Sequence, residues 1–261
     1  MQKIKFFVML FWLASFAWVG QAADFGGLYF SPETKQAIYL DWNAEKGHVN
    51  AVYVSENGSP HRRFEIMTQT PKTSSQYAFA YYIQIWEPSK PNVSYELNLG
   101  IEVVDDPPLL YLNKKRSQER TRLARLGNTG PQRDLSSDED AYLPLSHSLV
   151  QALSNMTWWY FDTEDSQIHA DVAVDVMAGH QSNELAISLK DGDMNLSISI
   201  EIDDQLGFSL TVHADDMDAD ELEGLNYVFN KASIELGDDV QWQIYFYDKG
   251  GEPVIILMQS I

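Results

Sequence analysis

The chain has no cysteine among its 261 residues. This absence excludes disulfides, thiol nucleophiles, iron–sulfur clusters and cysteine-based zinc sites. Exported proteins often depend on disulfides, but mainly when they are too small to build a hydrophobic core. A chain of this length can bury one or two cores without them. The lack of cysteine is therefore compatible with export.

Residues 1–22 have the three parts of a cleavable secretory leader. Lys3 and Lys5 give a positive start, residues 6–19 form an apolar run, and Gly20-Gln21-Ala22 offers small residues to a peptidase. The run is shorter than the ~20 residues of a membrane-spanning helix, although an uncleaved anchor is the alternative. No later run is long enough either. We expect a signal peptide, a periplasmic or secreted protein, and no transmembrane segment after leader removal.

Basic residues are scarce in the second half of the chain. Residues 141–261 hold 22 acidic and 3 basic residues, whereas residues 23–113 hold 11 acidic and 6 basic. Residues 114–140 reverse the balance with 7 basic and 5 acidic. A negative field repels phosphates, so nucleic acid is not expected as a partner. A basic protein or peptide is the expected partner instead.

The composition of residues 114–140 is typical of a linker, because it is polar, contains glycine and proline turn signals and ends in an acidic run. We predict a β-rich domain at 23–113, this basic-then-acidic linker, and an acidic α+β domain at 141–261. Residues 117–126 are predicted to form a short basic helix. Three residues at the start of the linker are binding candidates, either for the acidic domain itself or for an anionic lipid or glycan: Lys114, Lys115 and Arg116.

The first unit, residues 23–113, is predicted to be all-β, because short segments rich in aromatic and β-branched residues alternate with turn signals. Asn57-Gly58 predicts a two-residue hairpin. The expected architecture is an antiparallel sandwich or barrel. The candidate strands are Gln36–Trp42, Asn50–Ser55, Arg63–Thr68, Tyr77–Glu87 and Tyr95–Val104.

Residues 27–60 resemble a β-repeat of secreted bacterial proteins of unknown function. The resemblance rests on Gly27-Leu-Tyr-Phe-Ser-Pro32 and on Tyr53-Val-Ser-Glu-Asn-Gly-Ser-Pro60. Those repeats open with Gly-x-Trp-Tyr-x-Pro, but the Ser-Gly-x-Gly step that follows there is replaced here by Thr34-Lys-Gln-Ala37. The resemblance implies export and β structure and assigns no activity.

The second unit is predicted to be α+β, with two helices and an antiparallel sheet. Leu145–Met156 and Asp218–Leu236 have apolar residues at helical spacing. Alternation predicts strands around 172–176, 184–190, 195–202 and 208–212, and two more after Gly237, with Asp191-Gly192 as a hairpin turn. The overall fold class is therefore mainly β or α+β.

Two His-Ala-Asp steps are candidate metal ligands, because residues two apart on a strand share one face. They are His169 with Asp171 and His213 with Asp215, and solvated surface is the alternative. Asp216, Asp218 and Asp220 alternate as in a calcium loop but lack the glycine and glutamate of an EF-hand. We expect no cofactor, with Ca²⁺ as the alternative.

No catalytic motif stands out, since the chain has no Gly-x-Ser-x-Gly elbow, no Ser-x-x-Lys and no phosphate-binding glycine loop. Trp158 and Trp159 suit either sugar stacking or core packing. The favoured hypothesis is an exported non-catalytic binding protein whose acidic C-terminal domain acts on a cationic partner. The alternatives are an exported hydrolase with a site assembled from scattered histidines and carboxylates, and a structural component of the envelope.

Overall fold

The computed structural model describes residues 24–72, 79–101, 108–114, 120–136, 141–192, 194–213, 229–237 and 241–260. The predicted leader lies outside them. The strands are β1 Gly27–Ser31, β2 Gln36–Asn43, β3 His48–Glu56, β4 Arg62–Lys72, β5 Phe79–Glu87, β6 Lys90–Ile101, β7 Leu109–Lys114 and β8 Arg120–Gly127. Helix α1, Leu145–Ser154, is followed by β9 Trp158–Asp162, β10 Gln167–His169, β11 Ala173–Ala178, β12 Glu184–Asp191, β13 Met194–Ile202, β14 Phe208–His213, β15 Lys231–Leu236, β16 Trp242–Tyr247 and β17 Pro253–Gln259.

Strands β1 to β8 close into an antiparallel barrel in which each strand pairs with the next and β8 pairs back with β1. Alternate residues of each strand point inward, as the period of two requires. Ile83 and Ile85 on β5 and Leu97 and Leu99 on β6 are buried members of this interior. The prediction of mainly β structure is confirmed, and of the two predicted arrangements the first unit forms the barrel.

Asn57 and Gly58 lie in the turn between β3 and β4, with positive φ angles of 52° and 75°, but this turn spans residues 57–61 instead of the two residues predicted. Gly58 also lies against the second half of the chain, because a Cβ there would meet the backbone oxygen of Asp204 at 2.0 Å. The turn therefore requires glycine both for its conformation and for this close approach.

In the described residues of the second half, the chain forms one helix and two antiparallel sheets, instead of the single sheet predicted. One sheet has the order β10-β9-β17-β16-β15, and the other has the order β11-β12-β13-β14. Strands β9 and β11 lie close together, and so do β14 and β15. The inner faces of both sheets and one side of α1 share one apolar core. The buried residues at Leu196, Ile198 and Ile200 follow the predicted alternation.

The prediction of two helices is not confirmed. Residues 231–236 of the second predicted helix form β15, which pairs with β16 along its whole length. Ala232 and Ile234 are buried while Lys231 and Glu235 are exposed, so the period at this segment is two. Of the rest of that prediction, residues 218–228 lie outside the described residues, and residues 229–230 are neither helix nor strand.

The prediction of a basic helix at 117–126 is also wrong for its described residues, 120–126. Residues 120–127 are strand β8, which pairs with β7 on one side and with β1 on the other and so closes the barrel. Leu123 lies in the barrel interior, whereas Ala124 and Leu126 join the second core. Part of the predicted linker is thus a barrel strand.

The outer wall of the barrel packs directly on the second half of the chain. Phe30 on β1 stacks on Trp242 on β16 with ring centroids 6.0 Å apart. The indole nitrogen of Trp242 donates a hydrogen bond of 2.9 Å to the carbonyl oxygen of Arg125. The Leu145 N–H donates to the Gly58 carbonyl at 3.1 Å. The division of the chain into domains stays a prediction. The barrel interior forms one core, and residues of the barrel's outer wall, such as Leu28 and Phe30, belong to the core of the second half.

Among the described residues, no helix has both the length and the apolar character needed to cross a membrane.

Candidate functional site: an aromatic face with an acidic end

The five-stranded sheet has apolar side chains on both of its faces. On its inner face, Trp242, Ile244 and Phe246 of β16 are buried. On its outer face, strand register places one row across Ile168, Phe161, Ile256 and Tyr245, and a second row across Trp159 and Met258. We call these six residues together with Tyr247 the aromatic face. Within it Trp159 is 37% exposed and Ile168 is 53% exposed.

Two stacked tyrosines lie on the aromatic face. The rings of Tyr245 and Tyr247 are stacked at 5.9 Å with an interplanar angle of 16°. The Tyr247 hydroxyl donates to Glu235 at 2.7 Å, and the Ser233 hydroxyl donates to the same carboxylate oxygen at 2.8 Å. Burial raises the pKa of Tyr247, with Glu235 adding to the rise and the Ser233 hydrogen bond opposing it. Two hydroxyl donors thereby hold the Glu235 carboxylate in place.

Glu235 also lines a cleft between the barrel and the second half of the chain. The cleft has a volume of about 420 Å³, and its walls include Glu33 from the β1–β2 turn and Arg122 from β8. Its apolar wall comes from Ile234 and Leu236 of β15. The lining thus contains two acidic residues and one basic residue, and this excess of negative charge suits a second cationic group.

The end of the five-stranded sheet at the β9–β10 and β16–β17 turns is strongly acidic. The two turns lie together, since the Thr163 hydroxyl donates to the Val254 carbonyl at 3.3 Å. We call five residues of these turns and of the end of β9 the acidic end: Asp162, Glu164, Asp165, Asp248 and Glu252. The basic residues at this end are Lys249 and Lys231, and the Lys231 ammonium lies 5.6 Å from the Tyr247 ring centre.

His169 on β10 joins this acidic end. Its Nε2 atom lies 2.8 Å from Asp165 Oδ2 and its Nδ1 atom 3.8 Å from Asp171 Oδ1. The hydrogen bond with Asp165 is the main cause that raises the pKa of His169 above its usual value. Donor atoms of Asp162, Asp165 and His169 all lie within 4.8 Å of one another. This is a mixed imidazole and carboxylate group, of the kind that divalent transition metals bind.

The outer face of the four-stranded sheet is different in chemistry. Its side chains include hydroxyls and carboxylates, and a shallow groove of about 180 Å³ runs between Glu184, Glu201, Ser199 and Thr211. A hydrogen bond from the Gln181 backbone N–H is the largest cause that lowers the pKa of Glu184. This sheet has one apolar and one polar face, as is usual for antiparallel sheets.

The predicted site residues do not lie together in the structure. Trp158 is buried and donates its indole N–H to the Leu153 carbonyl at 3.0 Å, whereas Trp159 lies on the aromatic face. His169 and Asp171 lie near each other, but sequence reasoning missed Asp162 and Asp165, which the β9–β10 hairpin brings to His169. Lys114 is the exposed last residue of β7, and His213 ends β14. Lys115, Arg116, Asp215 and the carboxylates at 216–220 lie outside the described residues.

No protein-family model matches this chain, and it has no significant similarity to any curated protein or solved structure.

Proposed function

We propose that this is an exported binding protein whose acidic second half takes a cationic partner, a basic protein or peptide. The observation that carries the proposal is the acidic end beside the aromatic face, in a half of the chain with 22 acidic and 3 basic residues. Such a field attracts cations over several ångströms and raises their encounter rate. Export rests on the leader sequence at residues 1–22.

Salt dependence tests the binding. The chain purified from a periplasmic or secreted fraction is mixed with fluorescent oligolysine, and with oligoglutamate of the same length as control. We expect oligolysine to bind at low salt and to lose at least about tenfold in affinity at high salt, because ions screen exposed charges beyond about a Debye length. No binding at low salt, or binding indifferent to salt, contradicts the proposal. The N-terminal sequence of the same sample tests export: a start at or near residue 23 supports it, and Met1 contradicts it.

A divalent cation is the second candidate ligand, and the donor cluster of Asp162, Asp165 and His169 favours it. We expect Zn²⁺ titrated by calorimetry to bind the wild-type chain more tightly than the His169→Ala variant. Binding should strengthen as pH rises, because metal competes with the proton that Asp165 helps His169 to retain. His180→Ala is the matched control. Equal Zn²⁺ affinity in wild type and His169→Ala would remove this candidate.

The hydrolase alternative requires a pocket that joins a histidine to two or more carboxylates. Within the described part of the chain, the cleft at Glu33 and Glu235 and the groove at Glu184 and Glu201 contain carboxylates but have no histidine in their walls. His169 lies with its carboxylates on a hairpin at the edge of a sheet. This arrangement favours binding over hydrolysis as the function to be tested first.

A further inference from the structure

The two sheets of the second half bury equivalent inner faces but have unlike outer faces. On the four-stranded sheet, the outward positions of β13 are Ser197, Ser199 and Glu201. On the five-stranded sheet, the outward positions of β17 include Ile256 and Met258. An antiparallel sheet with one solvated face normally alternates apolar and polar residues. Apolar residues on both faces are typical of a sheet that is covered on both sides.

The apolar residues of the aromatic face are continuous rather than scattered. Register aligns Ile168 with Phe161, Phe161 with Ile256, and Ile256 with Tyr245, so that one row crosses four strands. Ile168 ends the first row and Trp159 ends the second, and both side chains are exposed. Single exposed apolar residues are common on protein surfaces, but a contiguous patch with a polar rim marks an interaction surface.

Charge around this patch selects the kind of partner. The acidic end closes one side, and Glu235 closes the β15 side where it also lines the cleft shared with Glu33. A second copy of the chain would bring an identical acidic rim against this one, and each chain carries a net charge of −20. Like charges placed across an interface disfavour association. A basic surface complements the rim.

We infer that the aromatic face is the docking surface for a basic protein that presents apolar side chains surrounded by lysine or arginine. The inference rests on the proposed function and locates it. The partner's apolar side chains cover the row from Ile168 to Tyr245. One of its cationic side chains enters the cleft lined by Glu33 and Glu235, whose walls contain two acidic residues and one arginine. The remaining basic groups pair with the acidic end.

Two peptides of equal charge separate the apolar from the electrostatic contribution. The first is an amphipathic helix of leucine and lysine, and in the second every leucine is replaced by serine. We expect the wild-type chain to bind the leucine peptide at least about tenfold more tightly than the serine peptide. A tenfold ratio of affinities is a difference of about 1.4 kcal/mol in binding free energy. The double variant Trp159→Ser with Ile168→Thr should lose this preference and keep its binding of the serine peptide.

The matched control is Met177→Thr on β11, whose side chain is 55% exposed on the other sheet. It should leave both affinities unchanged. A second measurement follows the indole N–H signal of Trp159 in the NMR spectrum of the wild-type chain. That signal should shift with the leucine peptide and stay in place with the serine peptide, which keeps the inference testable if the double variant folds poorly.

The outcomes distinguish the two proposals. If neither peptide binds, the proposed function fails. If both bind equally well, or if Met177→Thr removes the preference and the double variant retains it, the docking surface is wrong while cation binding stands. If the chain alone forms a dimer that the double variant dissociates, a second copy occupies the face and the inference is overturned.

Discussion

Replacing Trp242 with alanine is expected to lower the free energy of unfolding by about 3–5 kcal/mol, the range for truncating a large buried aromatic side chain. Trp242 is fully buried on β16 and is one of the largest such side chains in the molecule. Its ring stacks on Phe30 of the barrel, and its indole nitrogen binds the Arg125 carbonyl of β8. Alanine would leave a cavity at this junction and would remove the hydrogen bond to the Arg125 carbonyl.

Urea denaturation followed by circular dichroism measures this loss. Trp159→Ala is the matched control, because it removes the same side chain from the 37% exposed position on the aromatic face. We expect the control to cost about 1 kcal/mol or less, as is usual for surface positions. If Trp242→Ala and Trp159→Ala had equal midpoints, the packing of the barrel on the five-stranded sheet would be wrong.

Trp242→Phe divides the effect into its two parts. Phenylalanine retains an apolar ring against Phe30 but cannot donate to the Arg125 carbonyl. We expect a loss intermediate between wild type and Trp242→Ala, since the cavity is smaller and one buried hydrogen bond is still missing.

Local patterns predict the parts of this fold that depend on neighbours in sequence. Leu196, Ile198 and Ile200 alternate with polar residues, and they form β13 with its apolar side inward. Gly192 has a φ angle of 57° at the turn where Asp191-Gly192 predicts a hairpin. Helix α1 begins at the predicted Leu145. In each case residues within a few positions determine the local structure.

Some apolar patterns fit both a helix and a strand. At these places, pairing with strands that are distant in sequence determines which structure forms. Phe229, Ala232 and Leu236 lie at helical spacing, but Ile234 is also buried and the segment pairs with β16. In β8, Leu123 and Leu126 suit a helix face, yet closure of the barrel requires a strand between β7 and β1. Tertiary pairing overrides local propensity at both places. The sequence contains no local signal of those partners.

The candidate site is hard to predict for the same reason. Trp159, Tyr245 and Ile256 come from three strands, and only the pairing of β9 with β17 and of β17 with β16 makes them neighbours. One signal was present, because Val254–Met258 is an uninterrupted apolar run. Such a run is typical of a strand covered on both faces. The His169 cluster depends on the β9–β10 hairpin in the same way.

Lowering the pH from 7 to 4 is expected to destabilise the wild-type chain through His61. His61 lies just before β4, and its side chain is 2% exposed. Neither of its ring nitrogens has a hydrogen-bond partner within the described part of the chain. Burial lowers the pKa of His61 from 6.5 to about 4. A buried imidazole without a partner is stable only in its neutral form.

The sign follows from which state binds the proton. Below pH 6.5 the unfolded chain protonates His61 while the folded chain, with the pKa of this histidine lowered to about 4, does not. Above pH 6.5 His61 is neutral in both states, and the free energy of unfolding has its full value. As pH falls toward 4, this free energy decreases, because only the unfolded state gains a proton at His61. The loss amounts to about 3 kcal/mol at pH 4. Below pH 4 both states are protonated and the His61 contribution no longer changes.

His61→Leu removes this titration, so the comparison is the stability of the variant minus that of the wild type at each pH. Carboxylates contribute to both chains alike and largely cancel. We expect this difference, measured by urea denaturation, to rise by about 3 kcal/mol between pH 7 and pH 4. His180→Leu is the matched control, because it removes the same side chain from an exposed position. A rise below about 1 kcal/mol for His61→Leu, or an equal rise for His180→Leu, would contradict the burial of a neutral His61.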